Sequence, residues 1–269
     1  MANRTAAPKP VSLKRFPGLA TGAAFFFVYL YLPILFVVFL SFNENRIATI
    51  WTGFTFDWYP LVLGNADVLR AAQNSLIVAT FASVIATMAA TLAALAMTQG
   101  RAMRRQEVVN GSLALPLLIP EIVTAVATLI FFVAIGMPLG LLTITAAHTV
   151  FCIPFAYLPI RARLEGMDPS LREAAFDLYA NERQAFFRVT LPLLWPGILS
   201  GLLLAFIVSL DNFVITFFVS GPGSTTLPVY IYGMIRTGVT PEVNAVSALL
   251  LLVSLVLVTV ALLLSRRET

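Results

Sequence analysis

Long stretches of this chain carry no charge at all. From Phe16 to Asn43, and again from Ala71 to Gly100, every residue is uncharged and most are apolar. A helix needs about 20 such residues to cross a hydrocarbon layer about 30 Å thick, and inside lipid only a helix or a closed barrel satisfies its own backbone hydrogen bonds. Both stretches are long enough to span with room for tilt. A third uncharged run, from Val108 to Pro159, is interrupted only by Glu121 and is too long for one crossing. Gly136-Met137-Pro138-Leu139-Gly140 supplies the turn that divides it in two. A fifth span follows Pro192 and ends near Val219, before Gly221-Pro222-Gly223, and a sixth runs from about Val243 to Ser265. The expected fold is all-α: a polytopic membrane protein of six transmembrane helices, with residues 16–265 as one domain between tails at 1–15 and 266–269.

Composition agrees and removes other classes. Of the 269 residues, 59% are hydrophobic and 11% charged, whereas a soluble domain is about 25% charged. The net charge of +4 is too scattered to form a face for nucleic acid, so no nucleic-acid partner is expected. One cysteine, Cys152, and one histidine, His148, make neither an internal disulfide nor a histidine-rich metal centre. Both suit packing roles inside a span. The first span exceeds the apolar core of a signal peptide and has no convincing small-residue cleavage site.

Basic residues set the orientation. Arg4, Lys9, Lys14, Arg15, Arg101, Arg104, Arg105, Arg161, Arg163, Arg172, Arg183, Arg188, Arg266 and Arg267 fall on one side of the six spans, and only Arg46, Arg70 and Arg236 on the other. Both termini and the loop 161–192 are therefore expected to face the cytoplasm. The opposite segment from Asn43 to Arg70 carries Trp51, Trp58 and Tyr59, which suit a water–lipid boundary.

The cytoplasmic loop stops looking like lipid-embedded sequence. Asp168-Pro169-Ser170-Leu171-Arg172-Glu173 reads as a helix start, with Pro169 in the first turn and Ser170 and Glu173 as a capping box. Ala174, Ala175, Phe176, Asp177 and Leu178 continue it. Asn181, with Gln184 three residues on, opens a second short helix expected to end before Leu191-Pro192. This helical hairpin carries Phe176, Phe186 and Phe187 outside the bilayer, surface that is poorly solvated unless it docks on something.

Glu173-Ala174-Ala175, followed after fifteen residues by Leu191-Pro192, resembles the EAA loop of MetI-like permeases, the inner-membrane subunits of bacterial ABC importers. Val189 fits the same pattern. Where that family usually has glycine this chain has Tyr179, so the turn between the helices is expected to fall to another residue, Asn181 being the one that best tolerates left-handed backbone. Further stretches around His148–Phe155, Ser209–Asn212, Ser220–Gly223 and Gly238–Ala245 are similar to the second permease of spermidine/putrescine importers. The resemblance implies a transport subunit that pairs with a second, similar permease, two ATPase subunits and a periplasmic binding protein. It implies that Glu173, Ala174, Ala175, Phe176, Asp177, Tyr179, Leu191 and Pro192 couple the spans to the ATPase, which holds ATP and Mg while this chain holds no cofactor. The cargo would be a polyamine, another organic amine, or iron. The only lysines, Lys9 and Lys14, lie in the amino tail, so the chain has no G-x-x-x-x-G-K-[ST] phosphate loop of its own.

Two acids interrupt the apolar spans: Glu121 in span three, expected near mid-membrane, and Asp211, followed by Asn212, in span five and nearer the outer side. A charge at a helix centre costs about 2.5–3.5 kcal/mol on insertion scales, so such groups usually face a protein-lined path. One reading has Glu121, Asp211 and Asn212 line a cation pathway; the other has Glu121 protonated, or Asp211 and Asn212 bonded to a partner permease. Pro120, Pro154 and Pro159 either bend helices around a cavity or are ordinary membrane-helix prolines. An ion-driven carrier would use the same two acids for coupling but has no need of the hairpin. A membrane scaffold without transport remains the other alternative, since no Ser/His/Asp or multi-histidine constellation supports an enzyme.

Overall fold

The computed structural model describes residues 18–47, 50–99, 111–113 and 115–266. The helices in order are α1 (Leu19–Leu40), α2 (Trp58–Gly64), α3 (Ala66–Gln99), α4 (Glu121–Ala134), α5 (Leu141–Glu165), α6 (Ser170–Asp177), α7 (Glu182–Ala185), α8 (Leu191–Leu210), α9 (Val214–Val219), α10 (Leu227–Thr237) and α11 (Pro241–Arg266). Among the described residues the only β feature is an isolated bridge between Asn43 and Phe54. The all-α expectation holds. Five helices have membrane length: α1, α3, α5, the continuous Glu182–Leu210 rod, and α11. The sixth crossing is α4, whose 14 residues reach only about 21 Å; helical turns at 111–113 and 115–118 precede it. Of the basic residues that set the orientation, Arg4, Lys9, Lys14, Arg15, Arg101, Arg104, Arg105 and Arg267 lie outside the described residues, as does the tail 1–15. Helix α11 runs on to Arg266, the first residue assigned to the carboxyl tail.

Spans three and five are not the continuous helices the sequence suggested. The third breaks at Ile119-Pro120, because proline lacks the N–H that would bond back and its ring pushes the preceding residue out of helical geometry. The fifth stops at Leu210, with Asp211 as its C-cap, and restarts as α9. There Asn212 turns its side chain onto the backbone, accepting the Ile215 N–H at 3.1 Å. Helix α10, which hydropathy did not anticipate, starts with Pro228 in its first turn and ends at Gly238, whose φ of 143° is open to glycine alone at little cost.

The core is built on small side chains. Ala79, Ala82, Ala86, Ala90 and Ala94 form a fully buried stripe along α3, spaced to lie on one helix face. It packs on α5 and α8 through Cys152, Ala156, Ile160, Leu194 and Ala205. Two glycines of α8 set the closest approach: a Cβ at Gly201 would stand 2.7 Å from the Ala156 carbonyl oxygen, and one at Gly197 2.6 Å from Arg163 Cβ. Small residues at such crossings let backbones pack where lipid offers no hydrophobic drive. Helix α1 is the opposite case, with nearly every side chain exposed and α11 its main neighbour.

Between α1 and α3 the chain folds into a compact cap. Asn43 is fully buried and donates to the Ile50 carbonyl at 2.9 Å. Trp58 Nε1 donates to the Asn43 carbonyl at 2.8 Å, Tyr59 shares a 2.7 Å hydrogen bond with Ser41, and Trp51 stacks on Phe39. The three aromatics thus anchor a folded cap as well as offering amphipathic rings. Val62 of α2 then joins Val68, Leu227, Ile231 and Val243 in a second core. Asn74 of α3 ties down the loop before α10 through the carbonyls of Gly223 (3.1 Å) and Thr225 (2.9 Å).

Candidate functional site: two broken helices and a helical hairpin

The interruptions of spans three and five meet. Glu121 is the first residue of α4, placed there by Pro120, and Asn212 donates a side-chain N–H to its carboxylate. A carboxylate in a first turn sits at the positive end of the helix dipole. With a charge-assisted hydrogen bond as well, it is held in one orientation at a half-buried position. Glu121 and Asn212 therefore lie at the same level, not at the two depths that counting along unbroken helices gave. Asp211 goes elsewhere. It is exposed and accepts a hydrogen bond from Ser254 of α11 at 3.3 Å. It opens on a side cavity of about 330 Å³ lined also by Pro228, Ile231, Ser247 and Leu250. Adjacent residues thus take different partners, and the structure joins Glu121 to Asn212 but not to Asp211.

Behind this pair is a buried polar group that sequence reasoning treated as packing. His148 of α5 is 1% exposed, with Nδ1 2.8 Å from Ser209 Oγ and Nε2 2.9 Å from Thr216 Oγ1. Ser209 lies in the last turn of α8 and Thr216 in the first turn of α9. The only signal for this in the sequence was a lone histidine in an apolar run; nothing in it joins residue 148 to 209 and 216.

The helical hairpin follows the expected outline with three corrections. Ser170 does not cap α6: no side-chain cap forms there, and Asp168 instead accepts the Ser170 N–H at 2.9 Å. That contact and the Ser170 hydroxyl hold the Asp168 carboxyl below its ordinary pKa. Next, the turn is made by Tyr179 itself. Its φ of 60° is the only positive one among the described non-glycine residues. The Ala180 N–H reaches the Ala175 carbonyl (3.0 Å) and the Tyr179 N–H the Phe176 carbonyl (2.9 Å), which is the Schellman helix ending with tyrosine at the position glycine usually takes. Asn181 is extended and caps α7, exchanging hydrogen bonds with Gln184 at 2.9 and 3.0 Å as its capping box predicted. Finally, the second helix does not end before Leu191-Pro192. Phe186–Thr190 wind as a π turn directly into α8; Pro192 has no N–H for the Arg188 carbonyl, and a widened turn absorbs the mismatch.

Within the hairpin only Ala175 and Ala185 are buried. Glu173, Ala174, Asp177 and Pro192 are exposed and Leu191 is half-buried. Leu178 is 82% and Tyr179 97% exposed. Phe176, with Arg172 over its ring at 5.5 Å, lines an open groove of about 700 Å³ with Glu173, Arg183, Phe186 and Phe187. Arg163 Nε donates to the Leu193 carbonyl at 2.8 Å and fixes the end of α5 against the start of α8. The hairpin is thereby rooted in the membrane core.

Residues 90–267 match the family described as binding-protein-dependent transport system inner membrane component. The chain is 39% identical over 243 residues to the spermidine/putrescine transport system permease protein PotC of Escherichia coli K12, covering 90% of this chain and 92% of that one. It is also 39% identical over 231 residues to the putrescine transport system permease protein PotI of the same organism, covering 84% and 82%. Among solved structures it is similar in fold to a bacterial ABC transporter involved in the import of the acidic polysaccharide alginate. There the TM-score is 0.72 at 19% identity, over 93% of this chain and 94% of the other.

Proposed function

Because the chain belongs to the family of binding-protein-dependent transport system inner membrane components, we propose that its cargo is a polyamine of the spermidine or putrescine class, admitted along a path on which Glu121 is a cation-binding carboxylate. The chain itself is a multi-pass inner-membrane permease subunit of an ABC importer. The observation that carries the cation reading is the meeting of two helix interruptions at one oriented carboxylate, discontinuous helices being where many transporters place their substrate and ion sites. Asn212 occupies one oxygen of Glu121 and leaves the other for a cationic nitrogen. Asp211 at the C-terminal, negative end of α8 adds to the same field from the α11 side.

In this reading the permease pairs with a second, similar chain, and a periplasmic binding protein delivers the polyamine. Two ATPase subunits holding ATP and Mg grip the hairpin 161–192 through Glu173, Ala174, Ala175, Phe176, Asp177, Tyr179, Leu191 and Pro192. Their closure moves the hairpins together and opens the spans outward; hydrolysis returns them inward, which is alternating access between two states. The exposed apolar surface at Phe176, Leu178 and Phe187 supports a docked partner. The clustering of Arg161, Arg163, Arg172, Arg183 and Arg188 at the hairpin end, with Arg46, Arg70 and Arg236 in or beside the cap, supports cytoplasmic termini.

The test is uptake of radiolabelled putrescine and spermidine by vesicles holding the complete assembly with its receptor. Uptake that requires internal ATP and ignores an imposed pH gradient is the expected result. Uptake driven by the pH gradient alone would replace the importer with an ion-coupled carrier, and ATP-driven uptake of some other solute with no polyamine uptake would overturn the cargo.

A further inference from the structure

One imidazole spans the break in the fifth crossing. Ser209 belongs to the helix before the interruption and Thr216 to the helix after it, and His148 holds both from a third helix, α5. Hydroxyl directions follow from the remaining contacts. Thr216 Oγ1 donates its hydrogen to the Asn212 carbonyl at 3.2 Å, so toward His148 it accepts. Nε2 therefore carries the ring proton, and Nδ1 accepts from Ser209. Asn212, fixed through its carbonyl by Thr216 and through its side-chain oxygen by the Ile215 N–H, has its amide hydrogens left to donate, and one goes to Glu121. Each donor in the series Ser209, His148, Thr216 points toward the residue that orients the carboxylate.

We propose that His148 is a positioning residue for polyamine recognition: by bridging Ser209 and Thr216 across the 211–213 interruption, it aims Asn212, and through Asn212 the Glu121 carboxylate, at the cargo. Both ring nitrogens are paired, and their partners come from the two helices on either side of the interruption. A fully buried polar network of this kind fixes one arrangement, because any other leaves a polar atom unpaired in a medium without water. The proposal rests on the reading of Glu121 as a cargo-binding group.

The experiment measures KM and Vmax for radiolabelled putrescine in the complete assembly, at matched membrane levels of the permease. His148→Phe keeps a ring and removes both hydrogen bonds, and Thr216→Val removes the link at its other end with almost no change in shape. Each is expected to raise KM roughly tenfold, the equivalent of one hydrogen bond to a charged group, with Vmax changed less than about twofold. His148→Gln, whose amide can still reach Thr216, is expected to recover most of the loss, whereas His148→Asn, which reaches only the Ser209 side, recovers little. In a Glu121→Gln background, already impaired, His148→Phe adds less than about twofold because both act through one carboxylate. Equal uptake by the Phe, Gln and Asn variants, or a full multiplicative loss in the double variant, overturns the positioning role while Glu121 keeps its own. Unchanged KM in Glu121→Gln alone removes the pathway reading and the positioning role with it. If His148→Phe fails to accumulate, Thr216→Val decides by the same criteria.

Discussion

The break in the membrane and the hairpin outside it solve opposite problems. At the break, polar side chains reach partners far away in sequence: Glu121 with Asn212, His148 with Ser209 and Thr216, Thr143 with the Val219 carbonyl. At the tip of the hairpin the hydrogen bonds are local, from Ala180 back to Ala175 and between Asn181 and Gln184, while Leu178, Tyr179 and Phe187 stand in the open. The difference follows from the surroundings. Lipid supplies no hydrogen bonds, so a site there must be complete within protein. A segment in water holds its shape locally and can leave its apolar side chains for another surface. The proposed function uses that difference, with cargo held at the break and the ATPase holding the hairpin.

That contrast breaks most easily at the hairpin's interior. Ala185 is 1% exposed, in α7 and beside the π turn that leads into α8. Ala185→Asp places a carboxylate there without a partner, at a cost of about 3 kcal/mol or more if it stays charged. The expected outcome is loss of the ATPase from the complex in mild detergent and uptake at background, with the thermal midpoint of the isolated permease lowered only modestly because α3, α5 and α8 pack without the hairpin. Should ATPase retention and uptake survive, the hairpin would not be the gripped element and the contrast would fail on that side.

The membrane side is sharpened by removing one partner and then both. Asn212→Leu leaves the Glu121 carboxylate short of a donor and is expected to cost about 2 kcal/mol, read as a lowered melting temperature in detergent. Adding Glu121→Leu should restore the part of that stability lost to the unpaired carboxylate, but not the part lost at the Ile215 N–H, whose Asn212 acceptor is missing from both variants. Polyamine uptake should not return with it. Recovery of transport in the double variant would make the pair purely structural.

The same contrast explains what could be read from the residues in advance. The spans at α1, α3, α5 and α11 were legible because hydropathy integrates over many positions, and the cap at Asn181 because a capping box needs only four. Breaks at Pro120 and Asp211 were visible as odd residues but were placed inside continuous helices, because hydropathy does not register a missing N–H. Glu121 and Asn212 are 91 positions apart, and His148 and Thr216 are 68 apart; no local signal carries such a pairing. Helix α10 was lost because its polar and apolar residues average to neither a span nor a loop. Ser170 illustrates the converse error: a valid capping pattern whose neighbour, Asp168, takes the N–H first.

Tyr179 bears on the contrast most finely, because it sets local stability against display. Its φ of 60° costs a residue with a side chain about 1 kcal/mol relative to glycine, and its 97% exposure means that no contact within the chain offsets this. Tyr179→Gly should therefore stabilise the hairpin by about that amount, read as slower amide exchange at Tyr179 and Ala180, whose N–H groups close the helix end. If the hairpin's shape is all that the ATPase reads, uptake and ATPase retention are unchanged or slightly improved. If the tyrosine ring is itself part of what is gripped, retention falls although the hairpin is more rigid, and the two effects move in opposite directions. A tighter helix end that binds its partner less well has no explanation in folding, so this one substitution separates what the hairpin does for itself from what it presents to another protein.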